Sequence, residues 1–498
     1  MRRVVLAVVG ALIAGLLPAA AATAQQCQPA GGQSVPRPIP PEGDFQVTGA
    51  GWGHGVGLSQ YGAQGAAKLG CDAATILQTY FPGVQVAPTS LPPNIRVNLF
   101  TAATRLTVEA LDGAVPWRLC TDGVCQDLPT QPRGATWTVE VLPDAKYAIA
   151  DSGRLVWSGG DRYALLRADF DGTVVRVPEA RHRYRWGALE LDSVARDPGA
   201  AMFANLDIAP FDRYLYGLAE VPSSWPAEAL KAQVIAARSY ALVRREAYNG
   251  RRETCRCDVY ATVSDQVYSG WDKEAEAGYG QRWVDAVDAT RAADFSSALT
   301  MRYEGRTADA FYSSTHGGHS ESSAFTWGGA VPYLQPVDDS RWELASDSAE
   351  AGVRSWALSV SAQQLGQAAG VGVATDVRLP EPKGAAGRVG HPDRGYGGVV
   401  VTGTTGTRTL SGDQLRRGLG LRSTLFDIRP GGPVDQPSPQ PSESPPDLPI
   451  PQPSEAPSEL PFASSKVTRV AGSDRVGTAV AVSARHWATS SDAVLATA

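Results

Sequence analysis

Residues 214–242 read YLYGLAEVPSSWPAEALKAQVIAARSYAL. The second half of this stretch sets the spacing of a helix over 226–248. Leu230, Val234, Ala237 and Ala241 recur at helical intervals. Pro226 suits a first turn, Ser224 is placed as a cap, and Asn249-Gly250 stops the run. The first half raises a chemical question. Glu220 stands among Leu218, Ala219, Val221 and Pro222, where desolvation penalises a charge. Two readings are open. Glu220 is a carboxylic acid kept protonated so that it can give a proton to a leaving oxygen. Alternatively it is a capping or salt-bridged carboxylate drawn to the helix N-terminus.

Upstream of this stretch, from about 94 to 215, the pattern is mostly strand. IRVNLF, RLTVEAL, TWTVEVL, YAIAD, RLVWSG, TVVRV and RWGALELD are separated by Gly, Asp and Pro. Mixed strand and helix continues to about 429. The expected fold class is therefore α+β: a mixed, strand-rich domain over 45–429 with one long helix, plus a β-rich insert at about 105–180.

The 498 residues exceed one ordinary core, and the 43% hydrophobic and 19% charged fractions are those of a globular chain. The net charge of −6, with no Lys/Arg cluster, excludes nucleic acid as the expected partner. Arg2 and Arg3, the short apolar run 4–17 and Ala22-Thr23-Ala24 read as a secretory signal over 1–24. The mature protein is thus expected to be secreted, with no membrane association after cleavage. Residues 25–44 form a loose lead-in. Residues 430–465 are a Pro/Ser-rich extended spacer, and residues 466–498 are too few to fold alone, so the sequence reads as a fragment of something longer. Export makes disulfides the expectation for six cysteines. Cys120 and Cys125 flank the turn-like TDGV, and Cys27 with Cys71 is a second pairing. Cys255-Arg256-Cys257 suits a disulfide poorly because one residue separates the pair, and metal binding there lacks a nearby His.

Two further stretches carry polar side chains in unusual surroundings. In GWGHGVGLSQYGAQG (51–65), glycines let the backbone approach a ligand, while Trp52, His54, Gln60 and Tyr61 offer the aromatic face and hydrogen-bonding groups of a sugar site. No GK[ST] is present, so the block is not a phosphate loop. A glycine-rich structural turn is the alternative. In FYSSTHGGHS (311–320), Ser313, Ser314, Thr315, His316 and His319 crowd around Gly-Gly. The absence of GxSxG argues against a serine hydrolase, and a polar cleft wall is the reading taken. Asp258, Asp265, Asp338 and Asp339 are candidates by residue type for a second carboxylate, but no pair stands out.

Taken together, these stretches resemble the SpoIID/LytB family of peptidoglycan proteins. The signature comprises YLxG, an acid one residue before Pro, then EALKAQ and AAR[ST]YAL, here with Glu220 as the acid, 228–233 and 236–242. FYSSTHGGHSES is similar to the second signature. GWGHGVGLSQYGAQGAAKLG with ILQTYFPG (76–83) is similar to the third, and LSGDQLRRGLGLRSTLFDI (410–428) to the closing block. The GHG block stands first here, whereas it stands last in the sporulation enzyme. Termini lying close together in the fold would permit that rearrangement.

The resemblance implies a lytic transglycosylase acting on peptidoglycan glycan strands. Glu220 would protonate the oxygen joining N-acetylmuramic acid to N-acetylglucosamine, and the muramyl 6-hydroxyl would close a 1,6-anhydro ring. Trp52, His54, Gln60, Tyr61, Lys231, Gln233, Arg238, Ser239, Tyr240, Ser313, Ser314, His316 and His319 are the substrate-binding residues it suggests. Zinc, held by Cys and His in sporulation members, is not carried over because the His is missing; no metal or cofactor is expected. VTRVAGSDRVGTAVAVS (467–483) resembles the start of a cell wall-binding repeat 2, which implies attachment to a wall polymer. The alternative within the family is a non-catalytic amidase enhancer, with an amidase as partner. A structural adhesin is the third, weaker class.

Overall fold

The computed structural model describes residues 27–161, 164–195 and 199–431. The expected signal (1–24), nearly all of the spacer (430–465) and the repeat (466–498) lie outside them. The long helix is Ala227–Tyr248. It is buried on most of its circumference, because Ala229, Ala232, Ala236, Ala237 and Ala241 let neighbours approach on several sides. Leu230 and Val234 are fully enclosed, each worth about 1.5–3 kcal/mol of apolar burial. Asn249 ends the helix in the left-handed conformation, as Asn-Gly foretells. Ser224 does not cap the start. Pro226 occupies that position with no side-chain cap, and a turn in which the Trp225 N–H donates to Pro222 O (3.3 Å) leaves Ser224 exposed.

Helices Gln60–Lys68, Ala73–Tyr80 and Gly280–Asp288 and strand Ser297–Tyr303 pack around this helix. Beyond them lie a seven-stranded and a six-stranded sheet. The strands expected at 95–100, 105–111, 136–142, 147–151 and 154–159 form as Ile95–Ala103, Arg105–Ala110, Thr136–Val141, Tyr147–Asp151 and Arg154–Gly159. The strands of the 105–180 stretch divide between both sheets. Leu165–Asp169 joins Ala188–Ala195, pairing Leu166 with Leu191, so the insert shares a sheet with the rest of the fold. The architecture is mixed α+β with one dominant helix, as expected.

The C-terminal part has a second, smaller core built on Val371, Val377, Val399, Val401, Leu415 and Phe426. The first strand, Phe45–Ala50, lies between Ser355–Val360 and Phe426–Pro430 in an antiparallel sheet, with Phe45 opposite both Val360 and Pro430. The two ends of the 45–429 domain are therefore neighbours, the geometry a permuted block order requires.

All six cysteines are paired: Cys27–Cys71, Cys120–Cys125 and Cys255–Cys257. The second bond crosses the hairpin Trp117–Thr121/Val124–Asp127. The third corrects the sequence reading: Cys255 and Cys257 bond to each other across Arg256, which takes a positive φ of 52°. The lead-in is tied down by Cys27 and by Arg341 N–H donating to Pro29 O (3.1 Å). No described helix is long and apolar enough to cross a membrane.

Candidate active site

The YLYG run explains where Glu220 sits. In the short helix Arg213–Tyr216, Tyr214 and Leu215 are fully buried. Tyr214 stacks on Tyr268 with ring centroids 5.1 Å apart. Gly217 follows because a Cβ there would lie 2.5 Å from the Tyr268 ring and 2.7 Å from Gly270. This close approach lays 217–220 alongside 266–269, with Ala219 N–H donating to Val267 O (2.9 Å). The return bond runs from Val267 N–H to Glu220 Oε1 (2.6 Å). That donor makes Oε1 an obligatory acceptor, so a proton on the acid resides on Oε2.

The residue as a whole keeps partial exposure, while its carboxyl group is enclosed. Burial pushes the carboxyl up from 4.5 to about 7. The hydrogen bond from Val267 N–H, with the nearby polar groups of Tyr312 and Gln60, favours the ionised form and opposes part of that effect. The acid is therefore poised between its two forms near neutral pH, as general acid–base work demands.

The two other sequence blocks converge here. Gln60 Nε2 donates to Glu220 O (3.3 Å). Strand Leu58–Ser59 pairs in parallel with Tyr312–Ser313, Tyr61 N–H donates to Ser314 O (3.0 Å), and Trp52 bridges Thr315. Gly51, Gly53, Gly55 and Gly57 all have positive φ, which gives this irregular path its shape. His54 is buried between the blocks. Its Nδ1 accepts from Val56 N–H (3.0 Å), so its Nε2 carries the hydrogen and donates to Tyr312 O (3.0 Å). Burial lowers its pKa to about 3, so it stays neutral. His54 thus ties the blocks together from inside, and Trp52 is half-buried with Arg422 over its ring at 4.8 Å.

A cleft of about 340 Å³ is lined by Tyr61, Gln64, Lys68, Pro222, Ser224, Trp225, Pro226, Arg282 and Asp347, among them neighbours in sequence of Gln60 and Glu220. Its wall starts two residues beyond Glu220. Tyr61 and Trp225 meet edge to face at 5.0 Å, an aromatic surface suited to a sugar ring. Asp347 in this cleft is held by Gln64 and Lys68.

Several residues singled out in the sequence have partners inside the fold. Arg238 is fully buried, and its Nε and Nη2 donate to Asp212 at 2.6 and 2.9 Å. Ser239 Oγ donates to Ile235 O (2.7 Å) and accepts from Met301 N–H (2.9 Å). Tyr240 donates to Asp265 (2.7 Å). Lys231 pairs with Glu228 (2.8 Å), whose other oxygen accepts from Ala73 N–H (2.9 Å). Gln233 and Ser313 are buried beside the site elements; Ser314 is half-buried. His316 is fully buried, 5.8 Å from the Tyr80 ring and 3.9 Å from Asp339. Arg388 donates to the carbonyls of His316 (3.3 Å) and His319 (3.2 Å), so this pair marks a junction with the C-terminal part.

The carboxylates picked by type have other tasks. Asp258 accepts from Arg96 N–H (2.8 Å) and Asp265 from Arg252 (2.7 Å) and Tyr260 N–H (2.8 Å). Asp338 accepts from Ser340 N–H (3.0 Å) and Asp339 from Tyr80 OH (2.6 Å). Among the described residues, no three His, Cys, Asp or Glu gather in a metal-holding arrangement. Sequence reasoning missed Gln266, Val267, Tyr312 and Trp225. Tyr312 and Trp225 stood inside the stretches already singled out, whereas Gln266-Val267 carried no local signal.

Residues 203–293, which contain Glu220, the long helix and Gln266-Val267, match the SpoIID family model, described as stage II sporulation protein. The chain is 29% identical over 234 residues to stage II sporulation protein D of Bacillus amyloliquefaciens, covering 46% of this chain and 62% of that one. It is 27% identical over 236 residues to the protein of the same name from Bacillus subtilis (strain 168), covering 46% and 63%. It is 31% identical over 146 residues to an amidase enhancer of Bacillus subtilis (strain 168), covering 29% of this chain and 16% of that one. The matches span less than two thirds of each of these relatives. The resemblance read from the motifs, to SpoIID and to amidase enhancers, is borne out.

Proposed function

We propose, with the SpoIID segment at 203–293 as premise, that this protein is a peptidoglycan lytic transglycosylase with Glu220 as its general acid and base. The observation that carries the reading is the setting of Glu220. A buried carboxyl poised near pH 7 stands where three separated segments meet, and residues adjoining it in sequence line an aromatic cleft. The glycan strand lies along Tyr61 and Trp225. Glu220 Oε2 gives its proton to the glycosidic oxygen between N-acetylmuramic acid and N-acetylglucosamine as the C1–O bond breaks. The resulting carboxylate is stabilised by Val267 N–H and Tyr312 OH. It then takes the proton of the muramyl 6-hydroxyl as that oxygen bonds to C1. The proton balance closes on one residue and no water is consumed, so a second carboxylate is not required.

On this reading the protein acts at the cell wall as a secreted chain, with residues 466–498 contributing to wall attachment. The test is to incubate the protein with purified wall glycan and analyse the products by mass spectrometry. Anhydro-muramyl ends that appear with the native chain and vanish with Glu220→Gln support the enzyme. A second reading, stimulation of an amidase without cleavage, draws on the 31% identity to the amidase enhancer. Binding without any new glycan ends, with faster release of stem peptides when an amidase is added, would favour it.

A further inference from the structure

Tyr312 was not among the residues singled out by the sequence, yet it is held from three directions. Its carbonyl accepts from His54 Nε2 (3.0 Å), and its short strand pairs with Leu58–Ser59. Its hydroxyl accepts from Gln266 Nε2 (2.8 Å). The orientation of that amide is determined by its other neighbours. The Gln266 nitrogen also faces Ala237 O (3.2 Å), a group that can only accept. Its oxygen accepts from Tyr214 OH (3.1 Å). With Gln266 donating to it, the Tyr312 oxygen has one hydrogen left, and the phenol and the Glu220 carboxyl are close enough to act on one another: Tyr312 favours the ionised acid, and Glu220 raises the phenol.

We propose that Tyr312 is a positioning residue for the acid: its hydroxyl, aimed by Gln266, donates to Glu220 and steadies the carboxylate formed when that residue gives up its proton. The proposal rests on the reading of Glu220 given above. Burial and the nearby Glu220 keep the phenol well above its ordinary 10, so it stays a donor throughout the working pH range. The titratable groups facing Glu220 are Tyr214 and Tyr312, with Tyr240 and Asp265 behind them. Tyr240 donates to Asp265, which is paired with Arg252. No described cation is set against the Glu220 carboxyl, so the donor from Tyr312 is one of few counterweights to burial. Without it the acid would hold its proton more tightly and transfer it more slowly.

The test compares the full chain with Tyr312→Phe and with 3-fluorotyrosine placed at 312, a stronger donor of nearly the same shape. Two readouts are taken: the pH profile of anhydro-end release, and the titration of the Glu220 carboxyl by difference infrared spectroscopy against Glu220→Gln. Tyr312→Phe is expected to raise the Glu220 midpoint by about one pH unit and to lower the maximal rate about tenfold. 3-Fluorotyrosine is expected to lower the midpoint. An unchanged infrared midpoint in the fluorinated protein overturns the proposal, and this arm holds even if Tyr312→Phe fails to fold. Activity that survives Glu220→Gln sinks the assignment of the acid itself. Loss of activity in Glu220→Gln with unmoved midpoints at Tyr312 sinks only the present inference.

Discussion

Replacing Glu220 by Gln should remove activity and, at alkaline pH, stabilise the fold. Burial raises the carboxyl from 4.5 to about 7. At about 1.4 kcal/mol per pH unit, ionising it in the folded chain costs about 3 kcal/mol that the unfolded chain does not bear. Because the folded value lies above the unfolded one, the contribution is fully present below pH 4.5 and is lost as pH rises through 7. Gln keeps an acceptor for Val267 N–H and never ionises. Urea unfolding of both proteins at pH 5 and pH 9 isolates the effect. Glu274, raised to about 7, and Asp339, raised to about 8, also titrate in this window, but they do so in both proteins and cancel in the difference. The variant should gain up to about 3 kcal/mol on the native chain between the two pH values. Parallel stability curves would refute the claim that the fold holds this acid protonated, and with it the reason for its apolar setting.

Asp212→Asn should destabilise by about 3–5 kcal/mol, because it strands the fully buried Arg238; urea midpoints would show it, with Asp212→Asn/Arg238→Met recovering part of the loss. Gly65→Ala should cost about 1–3 kcal/mol, since its Cβ would lie 1.8 Å from Trp342 O, whereas Gly70→Ala, with open space around it, should cost only about 1 kcal/mol in thermal melts, the strain of a Cβ at a φ of +89°. Asp339→Asn should flatten the loss of stability between pH 7 and 9, because burial and neighbouring Glu343 keep Asp339 protonated to about 8; calorimetry across that range checks it. Tyr61→Ala should weaken retention on insoluble wall glycan about tenfold or more while leaving the far-ultraviolet spectrum intact, as expected for loss of a half-buried aromatic at the cleft.

The elements with a strong local period were legible in the sequence. The long helix announced itself through apolar spacing, and the strands of the two large sheets through alternation broken by Gly and Asp. Glu220 was legible as well, because an acid in an apolar run contradicts its surroundings. The roles of the signature residues were harder to read. Arg238, Ser239 and Tyr240 sit in a motif, but motif membership does not distinguish a cleft wall from a buried ion pair, and here Asp212, Met301 and Asp265 occupy their polar atoms. His54 looked like a ligand-facing imidazole and is a buried clasp, a difference created by partners 258 residues apart. Gln266 and Val267 were invisible because their importance comes wholly from the irregular segment 266–269 laid beside 217–220. The bond between Cys255 and Cys257 depends on the backbone turn at Arg256, which residue spacing does not reveal.

The pairing of Phe45 with Pro430 has a mechanical consequence. Both strands leave that sheet at the same end, so tension between them would open the ribbon rung by rung, as a zip, instead of loading all its hydrogen bonds at once. Cys27–Cys71 changes the path of such a load. A pull arriving ahead of Cys27 passes through the sulfur bridge into the segment between helices Gln60–Lys68 and Ala73–Tyr80, and Phe45 is spared. Reducing that bridge sends the same pull to the zip.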